Sequence, residues 1–232
     1  MKKLLTSIIA LSTLGSTNIF AEELDIKVTN LSSAMYFTPI LAAAHNGSSQ
    51  LFTEGESATE SLQAMAEGGD ISGLTTEIQS MGGDVNDNPA KGLLAPGAST
   101  EFVLMTQNTN THFSLTAMIL PTNDGFVGID SLELPTVDGT YTYYLNAYDA
   151  GTEVNNEIIN GAGEPGMLGI PGDPGENAGS NGTGVIHTTE NSTIHIHRGN
   201  LGDTNLTGGV SDLSNTIHRW LNPVAKLTIT IK

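Results

Sequence analysis

A mainly β chain, folded as an antiparallel sandwich with one or two short helices packed on it as a cap, is what this sequence predicts. Leu24-Asp25-Ile26-Lys27-Val28 near its start and Ala225-Lys226-Leu227-Thr228-Ile229-Thr230-Ile231-Lys232 at its end both alternate apolar and polar residues with period two. That pattern gives a strand one buried and one wetted face. Between them, stretches 100–106, 113–120, 126–132 and 140–148 also read as strands, several bounded by Pro, Gly or Asn. No linker-like break gives either half a strand set of its own, so residues 22–232 are expected to form one domain.

Helical spacing interrupts this pattern twice. Ser57-Ala58-Thr59-Glu60 reads as a capping box, Leu62, Met65 and Ala66 follow on one face, and Gly68-Gly69 stops the turn. A weaker amphipathic stretch places Leu74, Ile78 and Met81 together before Gly82-Gly83.

Residues 1–21 stand apart from the fold. Met1-Lys2-Lys3, an apolar run from Leu4 to Leu14 and small or polar residues up to Ala21 make a secretory signal peptide, with the mature chain starting near Glu22. The run is too short, and too interrupted by Thr6, Ser7, Ser12 and Thr13, to span a bilayer. A periplasmic or extracellular location follows. The absence of Cys excludes a lipoprotein anchor, disulfides, thiolate metal sites and cysteine catalysis. A formal charge of −17, with 8 Lys and Arg against 25 Asp and Glu, repels nucleic acid and anionic lipid. The acidity serves solubility, and it equally suits a fold whose self-repulsion is relieved by divalent cations.

The chemistry concentrates in two loops. Asn123-Asp124-Gly125 and Asp149-Ala150-Gly151-Thr152-Glu153 each adjoin a strand, so Asp124, Asp149 and Glu153 are candidates to meet at one end of a sheet. With Gly151 between them, a tight turn brings Asp149 and Glu153 to one point. Like charges gathered and buried in this way need a cation, and oxygen-only ligands suit Ca²⁺. Ordinary solvated turns account for the same residues, because Asp and Gly favour turns. Asp84-Val85-Asn86-Asp87-Asn88 imitates the start of an EF-hand loop. It fails because Pro89 stands where Gly is needed and Ala95 where the final Glu belongs.

Other motifs carry weaker chemistry. His195 and His197 alternate along 193–197, and with His187 on a neighbouring strand they form a candidate zinc or copper site. The favoured reading is a polar strand face opposite buried Ile194 and Ile196. His218, Arg219 and Trp220 read as a packing corner before the last strand. Residues 163–177 form five collagen-like triplets inside a Gly-rich insertion, 161–184. Five are too few for a triple helix unless something else trimerises the chain, so an extended polyproline-type surface loop is expected. No Gly-x-Ser-x-Gly elbow, His-Glu-x-x-His helix or phosphate-cradling loop is present. Carboxylate pairs are plentiful, but one Trp and few other aromatics furnish a sugar-cleaving cleft poorly.

Several blocks resemble the spondin domain of F-spondin and mindin. Phe37-Thr38-Pro39-Ile40-Leu41-Ala42-Ala43-Ala44-His45, Leu51-Phe52 and 62–69 resemble its opening. The segment 114–132, with Pro121-Thr122-Asn123-Asp124 and Phe126-Val127-Gly128-Ile129-Asp130-Ser131-Leu132, is similar to its strand, Pro-x-x-Asp loop and following strand. Asp149-Ala150-Gly151-Thr152-Glu153 resembles its Asp-Ala-Gly-Thr-Asp loop, and Asn222-Pro223-Val224-Ala225-Lys226-Leu227-Thr228 its closing strand. The resemblance implies a C2-like antiparallel β-sandwich and a calcium ion held by Asp124, Asp149 and Glu153. Glu153 stands where the family has Asp, Gly125 where it has Trp, and the cysteines of the animal members are missing. Integrin and lipopolysaccharide binding are therefore not carried over. The implied protein is an exported, non-enzymatic adhesion or binding module for an extracellular protein or glycan. The alternative is a secreted metal- or carboxylate-dependent hydrolase acting on a cell-surface polymer.

Overall fold

The computed structural model describes residues 22–107, 109–175, 179–185, 191–205 and 207–232. The signal-peptide expectation for 1–21, His187, and the last two residues of the triplet run lie outside them. The elements are β1 (Glu22–Asn30), β2 (Tyr36–Phe37), β3 (Leu41–His45), α1 (Glu60–Gly68), α2 (Ser72–Ser80), β4 (Asp84–Asp87), β5 (Ser99–Thr106), β6 (His112–Leu120), β7 (Gly125–Glu133), β8 (Gly139–Asp149), β9 (His195–Ile196) and β10 (Ala225–Ile231).

The strands pair antiparallel in one ten-stranded sheet, ordered β4-β3-β6-β7-β8-β10-β1-β5, with β2 added to β6 and β9 to β8. The first and last strands are neighbours toward the β5 end of that order. Leu24, Ile26 and Val28 of β1 face Ile231, Ile229 and Leu227 of β10 in register. On its other side β1 aligns Leu24 with Leu104 of β5. The free edges of β4 and β5 come together through side chains instead of a backbone ladder. Asn86 Nδ2 donates to the Val103 carbonyl at 3.2 Å, and Asp84 Oδ2 accepts from the Gln107 amide at 2.9 Å and from Asn110 Nδ2 at 2.8 Å. The expected sandwich thus takes the form of one sheet rolled almost into a barrel.

Two apolar clusters follow from the roll. The interior gathers Leu24, Ile26, Val28, Leu104, Leu227, Ile229 and Ile231 from one half of the sheet with Phe113, Leu115, Ile119, Val127 and Leu145 from the other. A second cluster lies outside the sheet, where Leu41, Ala43, Met118, Phe126 and Tyr148 pack under Leu62, Met65, Leu74 and Ile78 of the helices. Phe52 closes it, with ring centroids 5.1 Å from Phe126 and 5.0 Å from Tyr148. Full burial of one such side chain stabilises by about 1.5–3 kcal/mol.

β3 explains why the sequence pattern failed there. Ala42 and Ala44 point inward and Leu41 and Ala43 outward to the helices, so every position is buried and no alternation survives. The short β2 and β4 also carry too few residues to show a period.

The helices lie where expected, with different ends. Thr59, not Ser57, caps α1: its hydroxyl accepts the Leu62 amide at 3.1 Å, and Glu60 becomes the first helical residue instead of closing a capping box. Gly69 ends the helix in the left-handed conformation (φ 74°), its amide bonded to the Met65 carbonyl at 2.9 Å. In α2, Leu74 and Ile78 are buried, but Met81 falls past the end and is 46% exposed. Among the described residues no helix is long and apolar enough to cross a membrane.

Candidate functional site: two acidic loops at one end of the sheet

Strand register brings the two loops together. Gly125, the first residue of β7, pairs with Asp149, the last of β8, so Asp124 and Asp149 stand at the same sheet end. The Ala150 amide reaches back to the Asp124 carbonyl at 3.2 Å. Gly125 is obligatory: a Cβ there would lie 2.7 Å from Thr122 Oγ1 and 3.1 Å from the His197 ring. A Trp, the residue of the resembling family, has no room at that position. Gly151 (φ 70°) makes the tight turn, and a Cβ on it would strike the backbone of Ser192 and Thr193 at 2.7 Å.

The carboxylates differ in how they are satisfied. Asp124 is fully buried, and its Oδ2 accepts the Thr152 amide at 2.8 Å, the Glu153 amide at 3.0 Å and the Thr152 hydroxyl at 3.2 Å. Its Oδ1 is buried with no hydrogen-bond partner. Asp149 Oδ1 accepts the Gly151 amide at 2.9 Å, and Oδ2 accepts Asn155 Nδ2 at 2.6 Å. Glu153 Oε2 accepts Asn123 Nδ2 at 3.1 Å and the Gly169 amide at 3.0 Å, while its Oε1 is also buried without a partner. Burial, then the charge of Asp149, pushes the Asp124 carboxyl up to about 7. Burial raises Glu153 to about 6. Both shifts report negative charge held where solvent does not compensate it. Among the described residues no three His, Asp or Glu side chains stand close enough to hold a metal ion as they are placed. The loops bring the three carboxylates to one end of the sheet without drawing them into a single shell.

The histidine pair is arranged differently from the sequence expectation. β9 is two residues long, Ile196 is 45% exposed instead of buried, and His197 is the buried member. His197 Nδ1 accepts the Gly199 amide at 2.9 Å, which leaves the ring proton on Nε2, where it has no partner. The ring packs on Trp220 with centroids 4.9 Å apart, and burial lowers its pKa to about 4. His195 sits apart from it, its Nε2 3.8 Å from Asp149 Oδ2.

The triplet run proves to be a strap fastened at a three-residue period. Gly163 lies against Gly68 of α1, the Gly166 amide donates to Glu67 Oε2 at 2.5 Å, and the Gly169 amide donates to Glu153. A turn closes Glu164 to Met167, and Gly166 and Gly169 have φ of 81° and 135°, so this stretch is not a polyproline helix. The glycines are thus explained by contact with the body. Further on, Asp173 Oδ2 meets His218 Nε2 at 3.3 Å.

Glu157 went unnoticed in the sequence although it organises this end of the molecule. Its buried carboxylate accepts the amides of Leu201 at 2.6 Å and Gly202 at 2.9 Å and the Ser211 hydroxyl at 2.6 Å. A lone Glu among Asn-rich residues gives no periodic signal, and its partners are more than forty positions away.

The Spondin_N family model matches residues 17–157, which include both acidic loops and strands β1 to β8. The chain belongs to the Spondin_N family. No curated protein matches it. A spondin N-terminal domain is an extracellular binding type of module, and its family is generally non-catalytic. The match stops short of the strap, the histidine corner and β10, although β10 is the strand that closes the spondin sheet between β1 and β8.

Proposed function

We propose that this spondin protein is an exported, non-enzymatic adhesion or binding module, stabilised by a calcium ion at Asp124, Asp149 and Glu153, that engages an extracellular protein or glycan. The observation that carries the metal assignment is the buried, unpartnered Asp124 Oδ1 beside the second carboxylate of Asp149. An oxygen with nothing to accept, in a site where burial and then the Asp149 charge already raise its pKa, is what a hard cation relieves. The orphaned Glu153 Oε1 belongs to the same loop and adds a third oxygen donor. Calcium suits flexible loops better than magnesium does, because it tolerates irregular oxygen shells. When bound, the ion supplies charge neutralisation and a cross-link between two loops. Asp124, Asp149 and Glu153 would hold it once drawn together, and Thr152, Asn123, Asn155 and Gly169 orient those three carboxylates.

The same reading treats residues 22–232 as one C2-like domain, whose two layers are the halves of the sheet that face each other across the interior, with 1–21 as its export signal. The non-enzymatic part gains support from the shorter of the two Asp–His pairs in the described residues. In it, His218 Nδ1 accepts the Ser214 amide at 3.0 Å and Nε2 faces Asp173, so neither nitrogen is free to serve as a base.

Thermal unfolding with millimolar Ca²⁺, then with excess chelator, tests the metal. The expected result is a fall of several degrees on chelation, restored by Ca²⁺ and not by Mg²⁺, and absent from Asp149→Ala. A calcium response that persists in Asp149→Ala, or a protein with neither response nor bound calcium by metal analysis, overturns the assignment.

A further inference from the structure

A cleft of about 500 Å³ opens beside the strap, between the loop that leads into β2 and residues 214–218. That volume falls in the range of about 300–1,000 Å³ typical of small-ligand sites. One wall is rigid: the Asp173 and His218 side chains are 1% and 3% exposed, and Asp173 Oδ1 also accepts the Gly175 amide at 2.8 Å. Tyr36 and Pro96 also line the cleft. Ser214 Oγ and Thr216 Oγ1 lie 2.7 Å apart on the lining and share one hydrogen, and Ser214 Oγ also accepts the Thr216 amide at 3.3 Å, so the pair keeps one hydroxyl hydrogen and acceptor lone pairs.

We infer that this cleft binds one sugar unit of a neutral glycan. Paired hydroxyls that both donate and accept match the hydroxyls of a saccharide, each of which does the same. The Tyr36 ring offers an apolar face for the sugar's C–H side. Among the described residues no Lys or Arg lines the cleft, its rigid wall carries the Asp173 carboxylate, and the chain has a formal charge of −17. Uronate, sulfate and phosphate groups are therefore disfavoured. A lysine side chain needs acceptors alone and makes little use of the mixed hydroxyl pair. The inference rests on the reading of the chain as a binding module and is independent of the calcium site.

The test is titration of the protein, in Ca²⁺ and in chelator, with neutral oligosaccharides of glucose, galactose, mannose and N-acetylglucosamine. A uronic acid oligosaccharide and a lysine-rich peptide serve as comparisons. Saturable binding of a neutral oligosaccharide, weakened about tenfold by Tyr36→Ala and by Thr216→Val while both variants keep the parent unfolding temperature, is the expected result. Binding confined to the anionic sugar or the peptide, binding of none of the neutral sugars, or binding unchanged by both substitutions overturns the inference. Because the calcium response is read from melting and the sugar from affinity, a protein that fails one assay and passes the other shows which assignment is wrong.

Discussion

The two halves of the sheet are built on the same period and finished differently. In β1 and β10 the inward residues are buried and Lys27, Thr228 and Thr230 face water, whereas β6 is buried along nearly its whole length because the helices cover its outer side. A wet face keeps the alternation visible and tolerant. A covered face removes the alternation and makes both sides of the strand sensitive to volume.

The largest expected effect separates the halves directly. Phe126→Ala, which empties the cluster beneath the helices, should destabilise by about 3–5 kcal/mol in urea unfolding, while Thr228→Ala on the open face should stay within about 0.5 kcal/mol. Similar losses at both positions would show that the helices do not shield the outer face. The next effect concerns the acidic loops, which lie on the covered half. Calcium at a hundredfold excess over its dissociation constant should add about 2.7 kcal/mol to the parent and nothing to Asp149→Ala.

A pH dependence comes third. Burial lowers the His197 pKa to about 4 in the fold against 6.5 in the unfolded chain, so its contribution is present above about 6.5 and lost as pH falls toward 4. With calcium bound, acid unfolding followed by Trp220 fluorescence should therefore begin in that window, and His197→Phe, which keeps a ring on Trp220, should flatten it. In chelator, Asp124 works with the opposite sign: its raised pKa of about 7 favours the fold below about 4 and loses that contribution as pH rises through 7. Asp124→Asn should remove this second dependence. The smallest effect is at the helix start, where Thr59→Ala should cost about 1 kcal/mol and Ser57→Ala almost nothing, measured by the same urea unfolding.

Strands β1, β5, β6, β7, β8 and β10 lie within two residues of where the sequence placed them, and in β1 and β10 the alternation that marked them survives as one buried and one wet face. The stop at Gly69 was equally plain, because a left-handed cap needs only local chemistry. β3 was not, since burial on two sides leaves no period to read. In the site, Asp124, Asp149 and Glu153 stood out as a pattern of loop acids, and antiparallel register alone explains why the first two are neighbours.

Everything else at that end depends on contacts between distant positions. The amide of Gly169 turns Glu153, Trp220 buries His197, and Leu201, Gly202 and Ser211 wrap Glu157. The Gly-x-y spelling of 163–177 suggested an extended polyproline-type surface loop, yet each of its first three glycines is spent on the body of the protein. Periodicity and caps are properties of neighbouring residues and are written in the chain. The protonation of a buried carboxylate or imidazole depends on which groups the folded chain packs around it, and burial sets that energy only once the sheet has closed.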